Sequence, residues 1–312
     1  MATKYFDRYG LSPEEGKKVI GQIAVKNHHN GALAPKAHFQ AETTLEKVLA
    51  APMVAWPLGL FDCCGVSDGA AAAIVTRADL AKNFRADPVY IKALQIAVGP
   101  YEGYMSPKYD WCHVEETVRA GERAYAEAGI KNPREEISMA EVHDCFTITE
   151  MVIMEDLMFS ERGKAPDDVR SGFFHLDGGL PINTDGGLKC FGHPIGASGL
   201  RMMYEVYKQM QQKADKRQIK NPKLGLTHNL GGYPGLYVFA GVLTRDFYAR
   251  LFKLQNAERH LMWAGRLFVI AIGAVVLLIA LVLPRIGGAE KTVLSITGLF
   301  AGPMLLPSIW GL

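Results

Sequence analysis

The distribution of apolar and polar positions predicts several helices before any chemistry is considered. Ser12-Pro13-Glu14-Glu15 is typical of a helix start, with a capping side chain, a proline at the first helical position and acids in the first turn. It predicts a helix between Leu11 and Gly31. Amphipathic or apolar periodicity predicts three more helices, at Val114–Ala128, Met151–Met158 and Ser198–Gln212.

Short runs rich in β-branched and apolar residues predict strands between these helices. The runs are Val89–Val98, Met139–Val142, Leu224–His228 and Leu236–Leu243. The last two flank a glycine- and proline-rich turn, so we expect them to pair with each other. Alternation of strands and helices predicts an α/β fold, with a layered sheet covered by helices.

The end of the chain has a different pattern. Leu267 to Leu283 contains no charged residue and just reaches the length that a membrane-spanning helix needs, although a buried core helix is the alternative. Val293 to Leu312 is also apolar but is broken by glycines and prolines. We therefore expect one or two transmembrane helices and contact with a lipid membrane. Five arginines and lysines between Arg245 and Arg266 place the larger, preceding part in the cytoplasm by the positive-inside tendency.

Composition narrows the functional classes. The 312 residues are 49% hydrophobic and 21% charged, which excludes a disordered chain. With 34 lysines and arginines against 32 acids, the net charge of +2 is too balanced for a protein whose partner is nucleic acid. Five cysteines at irregular spacing, without a CxxC pair, do not indicate a disulfide framework or a structural zinc site. No HExxH-type pair occurs either, so we expect no metal.

Three short stretches contain candidate catalytic groups. In the first, His143 and Cys145 lie two residues apart, and an imidazole can activate a neighbouring thiol; the alternative is an inert buried cysteine. In the second, His193 follows a glycine-rich loop and precedes a predicted helix, where it could act as a base or an oxyanion donor or simply be part of a tight turn. The third, His228–Gly232, offers backbone amides for an oxyanion, or is an ordinary hairpin turn.

Taken in order, these stretches resemble the C-terminal half of a thiolase, the acetyl-CoA acetyltransferase family. The resemblance covers roughly residues 1–243 and depends on HDCF at 143–146, GHP at 192–194 and HNLGG at 228–232. The HDCF variant and the KNHHNGAL run at 26–33 are similar to the sterol-carrier-protein-type subgroup. Asp68–Ala72 looks like the family's DGAA turn.

The resemblance implies acyl transfer on coenzyme A thioesters, by thiolysis of 3-ketoacyl-CoA or by Claisen condensation. Coenzyme A would be a substrate, and no cofactor is implied. Cys145 would be the acid/base thiol, and His193 would activate the nucleophilic thiolate and donate to the thioester oxygen. His143 would hold a water in the first oxyanion hole. Gly231 and Gly232 would form the second oxyanion hole, and Cys64 and Asn229 would contact the substrate.

The sequence departs from the family pattern in two respects. The half that carries the family's nucleophilic cysteine is not matched, and only Cys190 offers a substitute. We therefore expect activity only when a separate chain supplies that half, and as partner either a second copy in a homodimer or that separate chain. The rival hypothesis is an inactive, membrane-anchored remnant from a gene fusion. A cysteine hydrolase is a weaker alternative. The tail resembles a fragment of a sodium/solute symporter.

The domain organisation follows from these patterns. We expect a remnant of the thiolase loop region and N-terminal domain over residues 1–88 and the thiolase C-terminal domain over residues 89–244. A basic linker would span residues 245–266, and the membrane segments would span residues 267–312.

Overall fold

The structure, a computed structural model, describes residues 1–98 and 109–231. The chain divides into two compact units, Met1–Leu230 and Gly231–Leu312, of which the second is described only at its first residue. In the described residues the helices are α1 Ala2–Arg8, α2 Pro13–Ala32, α3 Leu45–Ala50, α4 Ala81–Phe84, α5 Glu115–Ala128, α6 Pro133–Glu136, α7 Thr147–Asp156, α8 Ala165–Ser171, α9 Gly187–Cys190 and α10 Ser198–Met210. The strands are β1 Met53–Ala55, β2 Leu58–Gly59, β3 Met139–Glu141 and β4 Gly225–Thr227.

Helix α2 confirms the predicted capping signal. The Ser12 hydroxyl accepts a hydrogen bond from the Glu15 amide, and the Glu15 carboxylate accepts one from the Ser12 amide, which together form a capping box. The helix buries Val19, Ile20 and Ile23 in the main core. Helix α2 packs against α3, α7, α8 and α9, so it contacts segments that are far apart in the sequence.

Helix α7 lies at the centre of the core, and all ten of its residues are buried. It packs against α2, α5 and α8. The helix begins at Thr147, four residues earlier than predicted, because Phe146 is extended and the helical conformation starts directly after it. It ends at Asp156 because Met158 adopts a positive φ of 58°. The helix therefore starts two residues after Cys145.

The small sheet places the segments that follow it. Strand β3 is fully buried and pairs in parallel with β4, Met139 opposite Gly225 and Glu141 opposite Thr227. On its other side, Ala140 forms an isolated parallel bridge with Ile182. Both edges of β3 are thus occupied, and three chain segments leave the sheet side by side. Strands β1 and β2 form a separate antiparallel pair.

The predicted strand Val89–Val98 is wrong. The structure shows no strand there, and Leu94, Ile96 and Val98 are each about four-fifths exposed (79%, 81% and 81%). The run has strand-like residues, but propensity alone does not make a strand, and the run pairs with neither of the two small sheets in the described residues. Strand β4 pairs with β3, and the second run of the predicted hairpin, Leu236–Leu243, lies outside the described residues, so the hairpin stays a prediction.

The predicted helices at 114–128 and 198–212 are confirmed as α5 and α10. Helix α5 ends where Gly129 takes a left-handed conformation with φ of 73°, as expected for a C-terminal glycine. Within residues 1–98 and 109–231, no helix is both long enough and apolar enough to cross a membrane. The predicted spans at 267–283 and 293–312 fall beyond the described part of the chain and stay predictions.

Candidate functional site

Cys145 follows β3 in a short segment that is fixed on both sides. The Val142 amide donates to Asn183 Oδ1 at 2.8 Å. Phe146 forms an antiparallel bridge with Cys63, and the Cys64 amide donates to the Cys145 carbonyl at 2.9 Å. Cys64 and Cys145 are therefore directly opposite each other on two extended segments, which brings together two residues that the sequence singled out separately.

The environment of Cys145 favours its protonated form. Burial, and then the neighbouring Cys64 and Asp144, raise the pKa of this half-buried thiol to about 12. The group therefore retains its proton at neutral pH. In this state Cys145 can donate a proton directly, and it can accept one only through a small thiolate population.

The two candidate histidines lie close together. The rings of His143 and His193 are perpendicular, with centroids 5.2 Å apart. The Leu230 amide donates to His143 Nδ1 at 3.3 Å, and the atom placed as Asn229 Oδ1 lies 3.1 Å from the same nitrogen. Because a backbone amide can only donate, we assign the His143 proton to Nε2 and turn the Asn229 amide nitrogen towards Nδ1.

His193 has the opposite tautomer. Its Nδ1 lies 2.7 Å from Ser198 Oγ, and the Ser198 hydroxyl donates to the Pro194 carbonyl at 3.1 Å. The hydroxyl hydrogen is thus used, so His193 Nδ1 is the donor to Ser198 and Nε2 has a free lone pair. Burial, and then the positive charge of Arg201, lowers the pKa of His193. Burial also lowers the pKa of His143, to about 4, so both rings are neutral at pH 7.

Asp144, between His143 and Cys145, anchors the segment to α9. Its buried carboxylate accepts hydrogen bonds from the Leu188 amide at 2.6 Å and from Asn27 Nδ2 at 2.9 Å. A Cβ on Gly187 would lie 2.3 Å from one carboxylate oxygen, so this approach requires glycine. Burial, with Glu150 nearby, raises the pKa of Asp144 to about 7. Sequence reasoning treated Asp144 only as part of a motif and missed this anchoring role.

The third stretch connects to β3 through its first residue. The His228 amide donates to the Glu141 carbonyl at 2.8 Å, and His228 Nε2 lies 3.0 Å from Thr117 Oγ1. Asn229 is exposed apart from its contact with His143. Gly231 is exposed, and Gly232 lies outside the described residues, so the predicted second oxyanion hole stays a prediction.

All five cysteines of the sequence are described, and burial raises the pKa of each. Cys190 is fully buried, its pKa is raised to about 12, and its Cβ would lie 2.7 Å from a Cβ built on Gly31. An enclosed, protonated thiol is a poor nucleophile, so the structure gives no support to Cys190 as a substitute. Among residues 1–98 and 109–231 no cluster of three or more possible ligands is placed to hold a metal.

A protonated thiol and two neutral imidazoles of opposite tautomer suit proton transfer at carbon and stabilisation of an oxyanion. Residues 100–238 match the family described as thiolase C-terminal domain-like. Together with the relatives below, this supports the C-terminal half of a thiolase, with a thiolase-like α/β fold.

Two archaeal relatives are acetyl-CoA acetyltransferases. The enzyme of Methanothermobacter thermautotrophicus is 38% identical, over 75% of this chain and 59% of its own length. The enzyme of Methanocaldococcus jannaschii is 39% identical, over 75% of this chain and 60% of its own length. Sterol carrier protein 2 of Gallus gallus is 31% identical, over 87% of this chain and 52% of its own length. The chain thus spans between about half and three-fifths of the length of these relatives.

A solved structure, the Ltp2-ChsH2(DUF35) aldolase, shares the fold. Its TM-score is 0.60 at 24% sequence identity, with 72% of this chain and 57% of that chain covered. At this identity the likeness concerns the fold alone. These matches do not show the symporter-like tail expected from the sequence, which stays a prediction.

Proposed function

We propose that this chain carries the acid/base and oxyanion-binding part of a thiolase-type acyltransferase site for coenzyme A thioesters. The observation that carries the proposal is the convergence of His143 and His193, 5.2 Å apart, beside the segment where Cys145 is held opposite Cys64. The archaeal acetyl-CoA acetyltransferases support the same reaction class. Coenzyme A is a substrate in this scheme, and no cofactor takes part.

Each group has a role that fits its protonation state. The Cys145 thiol donates a proton to the α-carbon when a 3-ketoacyl chain is cleaved, and the thiolate removes that proton in the condensation direction. His193 Nε2 accepts the proton of a nucleophilic thiol and then donates it to the thioester oxygen. His143 Nε2–H, with Asn229 behind it, positions a water for the enolate oxygen. Cys64 flanks the substrate, and the amides of Gly231 and Gly232 form the second oxyanion hole.

Burial shifts the pKa of all five cysteines towards the protonated form, which disfavours each of them as the acyl-accepting nucleophile. Complete thiolysis then needs a nucleophilic cysteine beyond these five, for example from a separate chain in the assembly. The same observation favours a second candidate, a noncatalytic protein that binds coenzyme A esters. In either case the apolar run at 267–283 anchors the protein in a membrane with residues 1–243 on the cytoplasmic side.

Deuterium exchange into the methyl group of acetyl-CoA tests the proposal, since it needs the acid/base group but no nucleophile. In D2O, followed by mass spectrometry, we expect exchange above the protein-free rate, rising about tenfold per pH unit between pH 7 and 9 because the thiolate is the minor species. Cys145→Ala should abolish it. Cys63→Ala is the matched control, because the Cys63 thiol turns away towards the Gly59 carbonyl.

The outcomes separate the two candidates. Equal exchange in Cys145→Ala and the full-length wild type would contradict the role of Cys145. Binding of acetyl-CoA without any exchange would favour the noncatalytic protein. Robust cleavage of acetoacetyl-CoA by the chain alone, lost in Cys190→Ala, would overturn the need for an outside nucleophile.

A further inference from the structure

We propose that Arg201, on α10, is a positioning residue: its guanidinium holds together the three segments that carry His143, His193 and Asn229. This inference rests on the proposed function, because those three side chains are the ones assigned to the site. It adds a residue that the sequence motifs did not single out.

Arg201 bonds to the segments on either side of the site. Its Nη1 donates to Glu141 Oε2 at 2.9 Å and to Asp185 Oδ1 at 2.5 Å. Glu141 is the last residue of β3, two residues before His143, and its carbonyl accepts the His228 amide at 2.8 Å. One nitrogen of Arg201 therefore connects, through Glu141, to the segments of both His143 and Asn229.

The link to His193 runs through the loop and through the start of α10. The guanidinium carbon lies 5.1 Å from the ring centroid of Phe191, two residues before His193. Ser198, which accepts from His193 Nδ1, lies one turn before Arg201 on the same helix. The position of Arg201 thus fixes the His193 loop at two points.

The energetics of Arg201 suit positioning better than stability alone. Its side chain is only 6% exposed, and the carboxylates of Glu141 and Asp185 are fully buried. Among the residues that the structure describes, Arg201 Nε and Nη2 nevertheless have no hydrogen-bond partner. A buried cation with unused donors is costly, and apolar residues in its place are often at least as stable. Its position beside the site gives a reason for retaining it.

The positive charge also acts on the two imidazoles. After burial, Arg201 is a cause of the lowered pKa of His193 and one of the causes for His143. A nearby cation disfavours the protonated form of histidine, which keeps His193 Nε2 available as a base. Loss of this charge should therefore be visible in the titration of both rings.

Arg217 provides a matched control within the same buried cluster. It bonds to Glu205 at 2.9 and 3.1 Å, and Thr184 Oγ1 bridges Glu205 to Glu141. Its guanidinium also donates to the Leu33 carbonyl at 3.4 Å, and in the described part of the chain it does not bond to the segments of the site. Removal of either arginine leaves buried carboxylates, but only Arg201 contacts the site segments.

The test compares Arg201→Gln with Arg217→Gln in the full chain, with melting temperatures measured for both. The pKa values of His143 and His193 are followed by NMR, assigned through His143→Asn and His193→Asn, and exchange into acetyl-CoA is measured with its kcat and KM. For Arg201→Gln we expect the pKa of His193 to rise by about half a unit or more. We also expect kcat to fall about tenfold or more with little change in KM. Arg217→Gln should lower the melting temperature but leave both readouts as in the wild type.

Equal histidine titrations in Arg201→Gln and the wild type would overturn the proposal. Absence of exchange in the wild type would contradict the proposed function instead, and the titration would still decide the role of Arg201. If Arg201→Gln does not fold, Arg201→Lys keeps the cation but loses the stacking on Phe191 and the shared bond to two carboxylates. The exchange rate of Arg201→Lys should then fall about tenfold. An exchange rate equal to that of the wild type would also overturn the proposal.

Discussion

The reactivity of Cys145 towards an alkylating reagent is the most direct consequence of its environment. Alkylation requires the thiolate, and burial raises the pKa of Cys145 to about 12 from an ordinary value of about 8.5. We therefore expect Cys145 to react with iodoacetamide much more slowly in the folded protein than in the unfolded chain.

The size of the effect follows from the two pKa values. At pH 8 a thiol of pKa about 8.5 is roughly one-quarter ionised, whereas one of pKa about 12 is ionised to about one part in 10⁴. The more basic thiolate is intrinsically about 40 times more nucleophilic, for a Brønsted coefficient near 0.45. The product is a rate about 60 times lower than in the unfolded chain, with a further decrease from partial burial.

The measurement is peptide-resolved mass spectrometry after timed alkylation between pH 7 and 10, with the same protein in denaturant as the reference. In the folded protein the rate at Cys145 should still rise tenfold per pH unit at pH 10, with no plateau. A plateau below pH 9, or a rate equal to that in denaturant, would show that Cys145 is an activated thiolate. The assignment of Cys145 as a resting proton donor would then be refuted.

Three further predictions concern the scaffold, each followed by chemical or pH denaturation. Gly187→Ala should cost about 3 kcal/mol or more, because Gly187 has a φ of 65° and its added Cβ would meet the Asp144 carboxylate, whereas Gly129→Ala, with φ of 73° in open space, should cost only about 1 kcal/mol. Lys26→Met should lower the free energy of unfolding by about 3–5 kcal/mol, because it leaves Glu150 buried without the cation that lies 2.8 Å away. Lys18→Met, at an exposed lysine, should leave the free energy of unfolding almost unchanged. Between pH 6.5 and 4, His143 binds a proton in the unfolded chain but not in the folded protein. The free energy of unfolding of the wild type should therefore fall as the pH falls, by about 3 kcal/mol more than that of His143→Asn. Parallel pH profiles of the two proteins would contradict this.

The parts of the fold that depend on local signals could be predicted from the sequence. The capping box at Ser12 and the glycine after α5 are decided within one turn of the chain, and both helices occur where expected. The absence of a strand at 89–98 could not be predicted, because strand-like residues form a strand only where the fold brings them beside a partner, and in the described residues this run pairs with neither small sheet. Strand propensity reflects how well a residue packs against neighbouring strands, so it predicts a strand only where such neighbours are present.

The site divides in the same way. His143, Cys145 and His193 could be identified because motif and order are sequence properties. Asp144 and Arg201 could not be assigned roles, because a buried charge has meaning only through the partners that the fold provides. Their partners lie 44 and 60 residues away in the sequence. No periodicity or spacing within one segment carries that information.

The protonation states of the site depend on where the fold places its buried charges. Asp144 is adjacent to Cys145, and its negative charge is one of the causes that raise the pKa of the thiol. The Asp144 carboxylate itself is held by the Leu188 amide of α9 and by Asn27. Arg201 contributes a positive field that lowers the pKa of both histidines. Two buried charges of opposite sign thus act on the neutral groups of the site, each held by its own partners. Removal of the Asp144 anchor, as in Asp144→Ala, should release the segment of Cys145 without changing the titration of His193, whereas loss of Arg201 changes that titration first.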